Sequence, residues 1–280
     1  MKIHALFEDI KKQLQKAGLE SPAFESSLLI EKFCGVPYQK ARFCEDEAQN
    51  IQDVYSAVKK RISGYPLQYL LGEWEFYGRP FFVGEGVLIP RPDTEIVAEA
   101  ALRAVKQIPC PAVFDLCAGS GCIGLTMALE RPDSTVYAVE KSEKAFFYLQ
   151  KNRERHRAEN VTAVKGDIFA PDRLPLPEKA DLIVCNPPYI TDSAMKELQA
   201  EVTHEPSAAL SGGADGLRFY RFISPEYKPR LRAGGALVFE IGCDQQAAVE
   251  EILKAEGFLQ VSATPDYGGN PRAVMGIWPG

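Results

Sequence analysis

Hydrophobic positions fall into three regimes along the chain. Through the first seventy or so residues they recur at helical spacing: Ile3, Leu6, Phe7, Ile10 and Leu14 make one stripe that ends near Gly18, the pattern of an amphipathic helix with one buried face. In "SPAFESSLLIEKFCG" Ser21 stands as N-cap, Pro22 opens the first turn, Glu25 follows and Gly35 stops a second helix. A third is expected over about 47–63, closed by Gly64, with Ile51, Val54, Tyr55, Val58 and Ile62 on its core face. From Glu73 the period shortens. "EWEFYGRPFFVGEGVLIP" alternates and is broken by Gly78, Pro80, Gly84 and Gly86, a hairpin signature. A helix capped by Asp93 or Thr94 then runs to about Val105. Beyond it, short apolar runs ("AVFDLC", "STVYAVE", "VTAVKGD", "ADLIVCN", "GALVFEIG") alternate with helical segments such as "CIGLTMALE" and "QAAVEEILKAEG". That alternation predicts an α/β fold with a doubly wound, mainly parallel sheet. The last two strands, "LQVSATPD" and "RAVMGIWP", have only a Gly-rich turn between them and are therefore expected to be antiparallel. The expected organisation is a helical domain at 1–72, a β-hairpin linker at 73–90 and an α/β domain at 91–280.

Composition acts here mainly by exclusion. The chain has 280 residues, 46% hydrophobic and 25% charged, ordinary values for one large and one small globular domain. No apolar run approaches the roughly 20 residues that span a bilayer. The first residues lead into a helix of mixed charge rather than a signal or transit peptide, so a cytoplasmic protein without membrane attachment is expected. Seven cysteines form no C-x-x-C pair and the three histidines are scattered, so neither a disulfide framework nor a metal site is expected. The net charge of −6 repels phosphate, and a nucleic-acid partner would need a local basic patch.

Two stretches carry candidate chemistry. In "VCNPPYI" the buried strand must stop at Asn186, because proline cannot donate to a sheet ladder. Pro187 and Pro188 then make a stiff turn that leaves the Asn186 side-chain oxygen and the Pro187 carbonyl as rigid acceptors beside the Tyr189 ring, a suitable grip for a planar group bearing an NH2. A plain strand-ending loop would also hold two prolines, but it would not need the amide and the ring. "FDLCAGSGCIG" lies at the first strand-to-helix junction. Its Gly119-x-Gly121-x-x-Gly124 satisfies the dinucleotide fingerprint, with Glu140 where a ribose-binding acid belongs, so NAD is one tenant to weigh. S-adenosylmethionine is the other. Asp115 favours it, since a carboxylate near the turn disfavours a pyrophosphate and favours a cationic sulfonium ligand. Asp167 in "KGDIF" is placed to accept from an adenine amino group, with Ile168 or Phe169 covering the ring.

Read in order, "DLCAGSG", "AVE", "GDIF" and "NPPYI" resemble the motifs of class I S-adenosylmethionine-dependent methyltransferases that modify planar NH2 groups. Adenine amino-methyltransferases of nucleic acids belong to that group and are the alternative reading. The segments "PLQYLLGEWEFYGRPFFVGEGVLIPRPDTE" and "EVTHEPSAALSGGADGLRFYRFI" resemble the release factor glutamine methyltransferases in particular, and with the N-terminal helices the resemblance spans nearly the whole chain. It implies a seven-stranded class I methyltransferase sheet with an antiparallel last strand, behind a helical substrate-recognition domain. It implies a cofactor site from Asp115, Cys117, Ala118, Gly119, Ser120, Gly121, Glu140, Asp167, Ile168 and Asn186. The acceptor would be held by Asn186, Pro187, Pro188 and Tyr189, and the substrate would be the glutamine of the Gly-Gly-Gln motif of class 1 peptide chain release factors. A monomer that binds no nucleic acid directly is expected. Cys117 departs from the general pattern, which has glycine there. Chemically, an amide nitrogen is a poor nucleophile because its lone pair is delocalised. If Asn186 Oδ1 and the Pro187 carbonyl accept its two N–H bonds, the nitrogen is fixed and its pyramidalisation favoured, and no strong general base is required before bond formation.

Overall fold

The computed structural model describes all 280 residues, which form two compact units: Met1–Glu73 with Gln199–His204, and Trp74–Leu198 with Glu205–Gly280. The first unit holds α1 (Ile3–Lys16), α2 (Pro22–Cys34), α3 (Ile51–Ile62) and α4 (Leu67–Leu71). The α1 stripe is buried throughout, at Ile3, Leu6, Phe7, Ile10 and Leu14. Helix α2 begins on Pro22 behind Ser21, whose side chain makes no capping bond; the preset φ of proline serves instead. The expected α3 stripe needs correction. Val54, Ala57, Val58 and Arg61 are buried, whereas Ile62 is 42% exposed. Arg61 enters this core because its charge is matched there: Nε and Nη2 donate to Glu25 at 2.7 and 3.0 Å, and Nη1 pairs with Glu201 at 2.7 Å. A buried guanidinium is tolerated only with such partners.

The second unit begins one residue into the hairpin of β1 (Glu73–Phe76) and β2 (Arg79–Phe82), followed by α5 (Thr94–Ala104). Strands and helices then alternate as β3 (Ala112–Leu116), α6 (Cys122–Glu130), β4 (Thr135–Glu140), α7 (Glu143–Arg155), β5 (Val161–Lys165) and β6 (Ala180–Cys185). After them come β7 (Ile190–Thr191), β8 (Ser211–Gly213), α8 (Arg218–Tyr227), β9 (Leu231–Glu240), α9 (Gln246–Ala255), β10 (Leu259–Pro265) and β11 (Pro271–Ile277). Seven strands form one sheet in the order β10-β11-β9-β6-β3-β4-β5. β11 alone is reversed, antiparallel to both β9 and β10. The sheet is covered on both faces, which is why its strands read as apolar runs. Val113, Leu182, Val184 and Val238 pack with residues of α5, α6 and α7 on one side. Phe114, Ile183, Leu237 and Phe239 pack with Tyr220 and Ile223 of α8 and Val249 and Leu253 of α9 on the other. Strand order reverses beside β3, flanked by β6 and β4, so the crevice at the carboxyl ends of these strands is where such a sheet binds its ligands.

Candidate active site

A cavity of about 920 Å³ opens at that edge. Of the residues expected to bind cofactor, Cys117, Ala118, Gly119, Ser120, Glu140, Asp167, Ile168 and Asn186 line it. Asp115 and Gly121 do not form its wall but lie behind it. Asp115 is 1% exposed, and its Oδ2 accepts the Gly124 amide at 2.8 Å while Oδ1 has no partner. Burial pushes its pKa to about 7. The three glycines of the loop serve different ends. Gly119 has φ +57° and open space where a Cβ would stand, leaving the backbone bare toward the cavity. A Cβ on Gly121 would lie 2.4 Å from Leu149, and one on Gly124 would lie 2.7 Å from Asp115; these two permit packing of the helix and strand. Cys117 adopts φ +61°, the left-handed region where glycine is at ease, which explains why the general pattern has glycine there.

Glu140, the last residue of β4, is gripped through both oxygens. Oε2 accepts the Gly119 amide at 2.8 Å and Oε1 the Ser142 amide at 2.6 Å. Burial raises its pKa, against the pull of these amides. Carboxylate oxygens accept more than one bond each, so both remain open to ribose hydroxyls. Asp167 follows β5. Its burial is outweighed by the Lys141 ammonium at 2.8 Å and the Phe169 amide at 3.0 Å, which together lower its pKa. Ile168 is buried beside it, and the Phe169 ring is wedged against Phe219 and Phe222 with the Arg218 guanidinium 4.8 Å from its centre. Bare glycine backbone, two acidic strand ends and an apolar slot fit the methionine, ribose and adenine parts of S-adenosylmethionine.

At the other end of the cavity Asn186 follows β6 directly. Its Nδ2 donates to the Thr94 hydroxyl at 3.4 Å, which leaves Oδ1 for the cavity. Pro187 and Pro188 are buried, and Pro188 lines the wall. Tyr189 does not. Its hydroxyl turns away to donate to Glu240 Oε1 at 3.3 Å, and burial raises its pKa. The turn is braced from outside. β7 pairs with β8, the Ile190 amide donates to the Leu210 carbonyl at 2.8 Å, and Gln245 Nε2 donates to the Tyr189 carbonyl at 3.1 Å. Glu205, 5% exposed, accepts the Ile89 amide at 2.9 Å and pairs with Arg91, tying the loop before β8 to the strip at 88–91 that lines the cavity. Sequence reasoning missed Thr94 as a site residue, reading it only as a cap, and it missed Glu205, Glu240 and Gln245. Each lies far along the chain from the residue it serves, so no local spacing betrays it.

Residues 96–215 match the family described as Methyltransferase small domain, and residues 5–72 match the PrmC N-terminal domain. Over 97% of this chain and 96% of the other, the sequence is 40% identical to the release factor glutamine methyltransferase of Moorella thermoacetica. The chain belongs to the release factor glutamine methyltransferase family. A second member, from Fusobacterium nucleatum subsp. nucleatum, is 37% identical over 96% of this chain and 77% of its own length. Among solved structures, the hMettl16 catalytic domain in complex with MAT2A 3′UTR hairpin 6 superposes with a TM-score of 0.58 over 80% of each chain at 18% identity, a likeness of fold. As in the family, S-adenosylmethionine is the methyl donor.

Proposed function

We propose that the protein methylates the side-chain amide nitrogen of the glutamine in the Gly-Gly-Gln motif of class 1 peptide chain release factors. The observation that carries the reading is the polarity of Asn186: its Nδ2 donates to Thr94, so its oxygen is the end left free on a residue that lines the cavity. S-adenosylmethionine supplies an electrophilic methyl group. The chain's own part is to hold the acceptor. Asn186 Oδ1 and the Pro187 carbonyl accept the two N–H bonds of the substrate amide, fix its plane, and favour the pyramidal nitrogen of the transition state over the flat ground state. The proline pair keeps these acceptors in place with little conformational freedom to lose. Tyr189, anchored through its hydroxyl, stiffens the turn rather than stacking freely on the substrate. On the donor side, Glu140 takes the ribose hydroxyls, Asp167 and Ile168 the adenine, and 117–121 the methionine part, with the unpartnered Asp115 oxygen adding negative potential behind the loop.

We infer further that the protein works as a monomer in the cytoplasm and does not bind nucleic acid directly. The net charge of −6 supports the last point, because duplex binding depends on phosphate neutralisation and amino-methylation of a base on flipping it. The test is mass spectrometry of a release factor after incubation with enzyme and S-adenosylmethionine. One methyl group is expected on the Gly-Gly-Gln glutamine, absent when that glutamine is replaced and nearly absent with Asn186→Ala, which should still bind the donor. Methyl appearing on adenine in DNA, with none on release factor, would overturn the assignment.

A further inference from the structure

Glu240 ends β9, where the pairing of Cys185 with Phe239 sets it across from Asn186. It is 2% exposed, and no cation neutralises it directly. The nearest candidate, Arg272, spends its Nη2 on Asp93 and Asp266, both at 3.1 Å. Burying a carboxylate without an ion pair is costly, so a residue kept in this state beside a reaction centre calls for a role. Its neighbours are hydroxyls. Tyr189 donates to Oε1 at 3.3 Å. The Thr94 hydroxyl is near enough to the carboxylate to favour its charged form, while Oε2 has no hydrogen-bond partner. Thr94 is itself 2% exposed and is the residue that accepts from Asn186 Nδ2.

The chemistry of these groups fixes a direction. An ionised carboxylate only accepts, a hydroxyl has one proton, and an amide offers a donor at one end and an acceptor at the other. If the Thr94 hydroxyl directs its one hydrogen at Glu240, Thr94 presents only lone pairs to Asn186. Asn186 must then turn its NH2 toward Thr94 and its oxygen toward the cavity. We propose that Glu240 and Thr94 are positioning residues that set the polarity of Asn186, so that an acceptor rather than a donor meets the substrate amide. The inference rests on the amide-accepting role given to Asn186 above. Without the relay, the flipped amide would set NH2 against NH2.

Three variants test it, each followed through kcat, KM for release factor, affinity for S-adenosylmethionine and melting temperature. Thr94→Val keeps the shape and removes the acceptor; its kcat should fall by about tenfold to a hundredfold with donor affinity unchanged. Thr94→Ser restores the hydroxyl and should recover most of that loss, which a packing role for threonine would not predict. Glu240→Gln can donate to Thr94 and reverse the direction of the relay, so its kcat should fall in the same way; it decides the matter if Thr94→Val does not fold. A wild-type kcat in the folded Thr94→Val or Glu240→Gln protein, or a Thr94→Ser protein as impaired as Thr94→Val, overturns the proposal. Wild-type enzyme that leaves release factor unmethylated is a separate outcome, which refutes the underlying function instead.

Discussion

Cys117 illustrates how a single backbone angle can be read from a motif before the structure is seen. Its φ of +61° is a conformation that costs a side chain about 1–2 kcal/mol relative to glycine, yet the chain keeps it because the loop must turn there to bare Gly119. Glu140 is the complementary case, a residue whose side chain rather than backbone matters. It orders the Gly119 and Ser142 amides and still has lone pairs to offer. Glu140→Ala should therefore weaken S-adenosylmethionine binding by about 1.5–3 kcal/mol, the range for losing charge-assisted hydrogen bonds. Titration calorimetry giving the wild-type affinity would show that the carboxylate does not hold the donor. Asp115 was expected to act on the donor as openly as Glu140. The structure instead buries it behind Gly124, so in the proposed complex it acts through its field and not through contact.

Among elements, the turn after β6 depends on a two-residue strand pair that brings 211–213 against it. A Cβ on Gly212 would lie 2.8 Å from the Pro188 carbonyl oxygen, the Tyr189 Cα and the Gly216 carbonyl oxygen, all backbone atoms. Nothing there can swing aside, so Gly212→Ala must displace the turn that carries Asn186. Turnover should drop by about a hundredfold, the cost of misplacing a reacting group by about 1 Å, while donor affinity holds. An unaltered kcat in Gly212→Ala would mean that this brace does not position the acceptor site. The pair β7–β8 was not legible in the sequence, because two residues give no periodicity and the partners, Ile190 with Ser211 and Thr191 with Gly213, stand far apart along the chain. The central strands β3, β6 and β9 were legible because burial on both faces writes a continuous apolar run. The reversal of the last strand followed from the shortness of its turn. On α3 the apolar pattern pointed to Ile62, while the core takes Arg61 through Glu25 and Glu201; a charge pair formed over 36 residues overrides helical spacing and leaves no local sign. The acids proposed to hold the cofactor were visible as strand ends, whereas Thr94, Glu205 and Gln245 meet the residues of the cavity and its turn only once the sheet has brought distant segments together.

At the scale of the molecule, Asp115, Glu140 and Glu240 gather negative charge at the carboxyl edge of one sheet, where the proposed donor brings positive charge. Burial lifts Asp115 to about 7 and Glu240 to about 7, and raises Glu140. In the unfolded chain such groups ionise near pH 4. Between about 4 and 7 the folded protein therefore binds more protons than the unfolded one, and stability is lost as pH rises through that window and stays lost above it. The acids with lowered values, such as Asp133 at about 2 and Asp266, lose their contribution only as pH falls below about 4, outside the window. His156 works the other way within it. Burial lowers its pKa, so its contribution grows as pH rises through about 6.5, but it is half-buried and screened where the two carboxylates are fully enclosed. Without ligand, the melting temperature should be higher at pH 5.5 than at pH 8. S-adenosylmethionine should raise it more at pH 8, where its cation meets ionised neighbours. Asp115→Asn, which keeps an acceptor for the Gly124 amide, should flatten the pH dependence and shrink the extra ligand shift at pH 8. A melting temperature that climbs from pH 5.5 to 8, or a slope that Asp115→Asn leaves intact, would show that the charge at this edge is neutralised by something other than retained protons.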